Sequence, residues 1–239
     1  MNKQFSAMVG IALILLGASA LVFNLAMSML GPNVWQLLIW RFWPLTVVGL
    51  GLALMLLPLL ATGRRGLGAL FIPGMPVLTT GGILLFTSVF HVWGAWEWLW
   101  PLEVLSLALG FLFAAIWMRS IWLLIPAIIV GANGVVFQFC TLTGLWGAWA
   151  VLWTIEPLAV GLAFLLIGAA KRLGGLFLAG TILCGLAGIG LVGMTLVGPS
   201  WWLIRLAGPV VLICVGFLLF VWGIASRRLS PAPANEKAA

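Results

Sequence analysis

The sequence predicts an all-α membrane protein, with eight transmembrane helices forming four tandem helical hairpin repeats and both N and C termini cytoplasmic. Three observations predict it. Of 239 residues, 64% are hydrophobic and 6% charged, with a mean hydropathy of +1.29, a composition that would leave a soluble globule almost wholly apolar outside. The chain divides into apolar runs that each match the ~20 residues a bilayer-spanning helix needs. Finally, a proline and a basic junction recur along it at similar intervals.

The runs fall at about residues 8–30, 37–61, 69–90, 99–117, 121–140, 151–169, 175–197 and 202–225. They are apolar all round, whereas the strands of a membrane barrel alternate apolar and polar residues, so helices are expected. The first run begins like a signal peptide, with Lys3, an apolar stretch from Met8 and the small triplet Ala18-Ser19-Ala20. It continues through Leu25 to Leu30, long enough to span, and a retained helix is expected. Residues 1–229 then form one polytopic transmembrane domain, with hairpins at about 8–61, 69–117, 121–169 and 175–225. Residues 230–239, PAPANEKAA included, read as a disordered cytoplasmic tail.

The repeat rests on two markers. Pro44, Pro101, Pro157 and Pro209 are separated by 57, 56 and 52 residues, and each is expected to open the second helix of a pair. A proline there sacrifices little, because first-turn amides have no helical partner. The basic junctions at Arg65, Arg119, Arg172 and Arg228 are separated by 54, 53 and 56 residues. Tryptophans gather just ahead of each proline (Trp40 and Trp43; Trp98 and Trp100; Trp149 and Trp153; Trp201 and Trp202), where an indole suits a membrane boundary. In the eight-span reading Lys3, Arg64, Arg65, Arg119, Lys171, Arg172, Arg227, Arg228 and Lys237 share one side, against Arg41 and Arg205 on the other. Positive residues favour the cytoplasmic side, which places both termini there.

Composition excludes several function classes. The chain has no Tyr, one His and four acidic residues, all Glu, too few clustered polar groups for an ordinary hydrolytic, redox or metal site. No Gly-rich nucleotide motif opens a helix beside soluble strands. Cys140, Cys184 and Cys214 lie far apart in apolar runs and read as buried small residues. The net charge of +7 is spread singly and in pairs, without the basic face of a nucleic-acid binder. No catalytic, metal or cofactor-binding residue is assigned, and no cofactor is expected. Gly180, Cys184 and Gly188, like Ala127 and Gly131, form small stripes suited to close helix packing, and Asn24 and Gln138 suit hydrogen bonds between helices.

Charge in a span costs about 2.5–3.5 kcal/mol at a helix centre, so the charges near the prolines require a reason. Arg41, Glu97, Glu103, Glu156 and Arg205 sit beside them in the signs plus, minus, minus, minus, plus, with His91 at the end of the third span. They form the candidate outer-rim polar cluster. Two readings stand: the groups converge and pair at the mouth of a bundle as a gate or headgroup site, or each snorkels to water independently. For His91, an interfacial aromatic role is weighed against ligation or proton relay; no second ligand stands at metal-binding spacing.

GIALILLGASALVFNL followed by FWPLTVVGLGLAL, together with Trp100-Pro101-Leu102, resembles the LiaI/LiaF-like transmembrane region of bacterial envelope proteins, whose second hairpin helices open on tryptophan-proline-leucine. The pattern thins to Pro157-Leu158 and Gly208-Pro209-Val210 further on, and after Arg228 a short tail stands in place of the LiaF type's soluble domain. The resemblance implies a non-enzymatic protein of the bacterial inner (cytoplasmic) membrane, in some relatives tied to envelope stress. Membrane lipid, other transmembrane proteins or a second copy are the expected partners. The function expected is that of a scaffold or accessory subunit. The alternative is a small transporter, channel or lipid-binding protein for an apolar or amphipathic solute, gated by the outer Arg/Glu ring.

Overall fold

The structure, a computed structural model, describes residues 39–61 and 63–197, with scattered positions on either side. All of its regular structure is helical. Six long helices succeed one another: α1 (Leu45–Leu60), α2 (Phe71–Phe90), α3 (Pro101–Met118), α4 (Leu124–Thr143), α5 (Ile155–Lys171) and α6 (Gly174–Val197). Five helical segments are long and apolar enough to cross a membrane: Ile39–Leu60, Arg65–Phe90, Pro101–Met118, Ile121–Thr143 and Gly174–Met194. Trp146–Leu152 with Ile155–Lys171, bent by 47° at the break, gives a sixth. The chain is therefore built as a multi-pass membrane protein. These segments correspond to the second through seventh apolar runs, extended by a few residues at several ends. The runs at 8–30 and 202–225 fall largely outside the described residues.

Prolines explain where the helices begin. Pro44 immediately precedes α1, Pro101 is the first residue of α3, and Pro73, Pro126 and Pro157 are third in α2, α4 and α5. In every case the missing amide falls at or beside the first turn, where it breaks no helical hydrogen bond. Pro58 and Pro76 stand inside α1 and α2 and remove interior bonds, a loss that transmembrane helices tolerate when their neighbours re-satisfy the backbone.

The helices pack as a row. Each long helix makes extensive contact only with those before and after it, among the described residues. Lipid gives no hydrophobic drive for helices to associate, so close approach and dispersion contacts hold such a row together. A Cβ placed on Gly51 of α1 would stand 2.6 Å from Leu78 Cα of α2, and one on Gly161 of α5 would stand 2.6 Å from Cys184 Sγ of α6. Between α3 and α4 the corresponding contact is Ala108 against Gly131, at 3.4 Å from a Cβ built on the glycine. Leu78, Gly131 and Cys184 are spaced by 53 and 53 residues, and their partners Gly51, Ala108 and Gly161 by 57 and 53. A second contact recurs in step with the first. Gly81 lies against Val48 N, Gly134 against Leu105, and Ala187 shares a buried cluster with Leu158.

Packing on two flanks leaves the remaining faces uncovered. No more than 33% of any of the five spans is buried within the protein. Exposed side chains run in stripes at helical spacing, such as Leu109, Leu112, Phe113 and Ile116 on α3 and Val135, Phe139 and Leu142 on α4. For a chain in lipid these are contacts with acyl chains or with neighbouring membrane proteins.

Candidate functional site

The candidate polar residues sit where α2 passes to α3 and α4 to α5, the end of the row that carries the tryptophans. Both connections have one plan. Each preceding helix closes on a left-handed residue, His91 at φ 56° and Gly144 at φ 70°. Next comes a 3-10 turn, Trp93–Ala95 in one and Trp146–Ala148 in the other, and then a short helix, Trp96–Leu99 or Trp149–Leu152. Three of the backbone bonds correspond. Ala95 N donates to Val92 O and Ala148 N to Leu145 O, both at 2.9 Å; Trp100 N donates to Trp96 O at 3.3 Å and Trp153 N to Trp149 O at 3.2 Å. Glu103 N and Glu156 N then donate to Trp100 O and Trp153 O at 3.0 and 3.1 Å.

The two turns align at a different interval from the prolines. Proline spacing pairs Pro101 with Pro157, 56 residues on, whereas the bonds pair Pro101 with Thr154 and Glu103 with Glu156, 53 residues on. The signal that marks the turn is Trp-Gly-Ala-Trp, present at 93–96 and again at 146–149. Its alanines are buried, Ala148 completely. Thr154, in the place of Pro101, has an amide and uses it, donating from N and from Oγ1 to Val151 O at 3.2 and 2.7 Å.

Within this frame the charges occupy helix termini. Arg41 Nε donates to Val89 O at 3.2 Å, binding one of the last carbonyls of α2, where a cation meets the negative end of the helix dipole. Ser88 Oγ donates to Trp40 O at 3.0 Å and ties the same two segments together. Glu103 and Glu156 lie in the first turns of α3 and α5, and Glu97 in that of the short helix, the ends where negative charge is favoured. Thr80 Oγ1, midway along α2, donates to Glu103 Oε1 at 3.0 Å, so this carboxylate turns down the helix interface. Among the described residues no Arg–Glu ion pair joins the group, and Arg205 lies outside the described residues. His91 is exposed, and its backbone ends α2: Val92 N reaches back to Thr87 O at 3.1 Å.

Aromatic rings bind the two turns to each other. Trp100 packs on Phe137 with centroids 5.3 Å apart and stacks on Trp146 at 6.2 Å, and Phe137 stacks on Trp149 at 5.4 Å. Gln138, one position beyond Phe137, donates from Nε2 to Trp98 O at 3.2 Å, the inter-segment role expected for it. The buried Oε1 of Gln138 and Oγ1 of Thr141, one turn on, have no partner in the structure.

The opposite end is basic. α3 and α5 finish in the same cap, with Arg119 at φ 52° and Arg172 at φ 54°. Ser120 N returns to Ala115 O and Arg119 N to Ile116 O, as Leu173 N does to Gly168 O and Arg172 N to Ala169 O. This is the paired closure that usually calls for glycine. The arginines accept ~1–2 kcal/mol of left-handed strain and set a cation beside the last carbonyls. Among the described residues no group of three or more His, Cys, Asp or Glu could hold a metal ion. Compared with protein-family models, with curated proteins and with solved structures, the chain matches none of them.

Proposed function

We propose that the chain is a non-enzymatic multi-pass protein of the bacterial cytoplasmic membrane, acting as a scaffold or accessory subunit that associates laterally within the envelope. Eight spans in four tandem hairpins, with both termini cytoplasmic, complete this reading, and its link to envelope stress comes from the LiaI/LiaF-like resemblance. The observation that supports it best is the row of helices joined edge to edge, with apolar stripes left open on their faces. Such a wall offers broad contact to other membrane segments and little to soluble partners. The contacts recurring at 53 residues support tandem repetition.

A photo-crosslinking residue placed at Ile116, Leu142 or Leu178, all exposed on open stripes, tests the scaffold. Discrete protein adducts formed in intact cells are expected. Adducts to lipid alone, with solute flux through proteoliposomes that is lost on Glu103→Gln, would establish the transporter reading instead. One contact favours that rival, the Thr80–Glu103 bond that carries a carboxylate into the α2–α3 interface.

A further inference from the structure

The basic end holds a recess that the two helix closures make comparable. Arg119 and Arg172 occupy equivalent places, but the residues after them differ: Ile121 and Trp122 in the first closure, Gly174 and Gly175 in the second, each pair 53 residues apart. A Cβ on Gly174 or Gly175 would meet nothing within 4 Å. Beside Gly174 the surface has a shallow, largely open depression of ≈ 270 Å³, lined by Gly168, Ala169, Arg172, Gly174 and Phe177. Its floor is apolar and its rim is the exposed guanidinium of Arg172, with Lys171 adjacent. At the first basic junction the corresponding glycine, Gly68, is instead closed over by Trp117 and Met118 of α3.

Charge identifies the occupant. Arg64, Arg65, Arg119, Lys171 and Arg172 stand at this end of the helices, while the described carboxylates Glu97, Glu103 and Glu156 all stand at the other. An apolar floor opening beside a span, edged by cations with no neighbouring acid, suits an anionic head carrying an acyl chain. The first amides of α6 open beside the same rim without helical acceptors. We propose that the recess between α5 and α6 binds one anionic phospholipid, its phosphate held at Arg172 and a chain laid against Phe177. The site rests on the multi-pass membrane reading and not on the scaffold role.

Native mass spectrometry of the purified full chain in detergent, titrated with phosphatidylglycerol or with phosphatidylcholine of the same acyl chains, tests it. Phosphatidylglycerol is expected to be retained about fivefold better, the preference one basic side chain confers at a membrane surface. Arg172→Gln should remove that preference, whereas Arg119→Gln, the same charge change at the closure that carries Ile121 and Trp122, should leave it. Gly174→Ile with Gly175→Trp copies the side chains of the Arg119 closure, keeps every charge and should also abolish binding. Equal retention of the two lipids, equal losses from Arg172→Gln and Arg119→Gln, or undiminished binding in a folded double variant would each overturn the proposal. Full displacement of the lipid by millimolar inorganic phosphate would overturn it too, in favour of a soluble-anion site. If the double variant does not fold, the two arginine variants decide. The crosslinking result at Ile116 is independent of all these outcomes.

Discussion

The turn from α2 to α3 and the turn from α4 to α5 share Trp-Gly-Ala-Trp, the same 3-10 and short-helix order and three matching backbone bonds, yet they enter the next helix differently. In the first, Trp100 leads directly into Pro101, which is buried. In the second, Trp153 is succeeded by Thr154, and the proline comes three residues later. The difference teaches that the buried alanine and the flanking indoles define the turn, and that proline fixes only where a helix can start cheaply. A residue that lacks an amide is welcome anywhere in a first turn; a methyl group that fits a closed space is tied to one position.

Overpacking separates these roles most strongly. Ala148→Phe and Ala95→Phe should each lower unfolding stability in micelles by about 1–3 kcal/mol. A loss confined to one of them would break the equivalence of the two turns. Next in size is Trp100→Ala, which removes two ring contacts and should cost about 1–3 kcal/mol. Trp153→Ala is expected to cost under about 0.5 kcal/mol, since Trp153 joins no ring pair among the described residues and lies on the surface. Below the overpacking effects come those at the left-handed closures. Gly144→Ala should destabilise by about 1 kcal/mol, and His91→Gly should stabilise by up to about 1 kcal/mol, by removing strain that a side chain imposes there. The same unfolding measurement reads both, and a stabilising Gly144→Ala would contradict the assigned backbone.

Much of the architecture was legible in the chain because membrane burial imposes a length and a polarity on each segment. The second through seventh apolar runs coincide with helical segments, and Gln138 makes the cross-segment bond its type and place suggest. The alignment of the two tryptophan turns was not legible from proline. Pro101 and Pro157 satisfy the same first-turn rule at different positions, so their spacing of 56 differs by three residues from the 53 that separate the matching turn bonds. The roles of the charges were hidden for a related reason. Arg41 meets a carbonyl of α2, 48 residues away, and Glu103 meets Thr80, 23 residues away; both partners depend on which helices are neighbours, and apolar patterning does not encode adjacency. The left-handed arginines at 119 and 172 were equally obscure, since that conformation is ordinarily announced by glycine.

The row also bears on how the chain is made. In a closed bundle the first helix must wait for the last to complete its surroundings. Here every described long helix finds its principal partners among its immediate neighbours in the chain, as in proteins whose stability is a sum over adjacent units. Each segment released into the bilayer during synthesis meets the helix it will pack against already in place. Assembly order and synthesis order therefore coincide, and a lesion at one joint, such as Gly51 or Gly161, should disturb that joint while leaving distant ones to form.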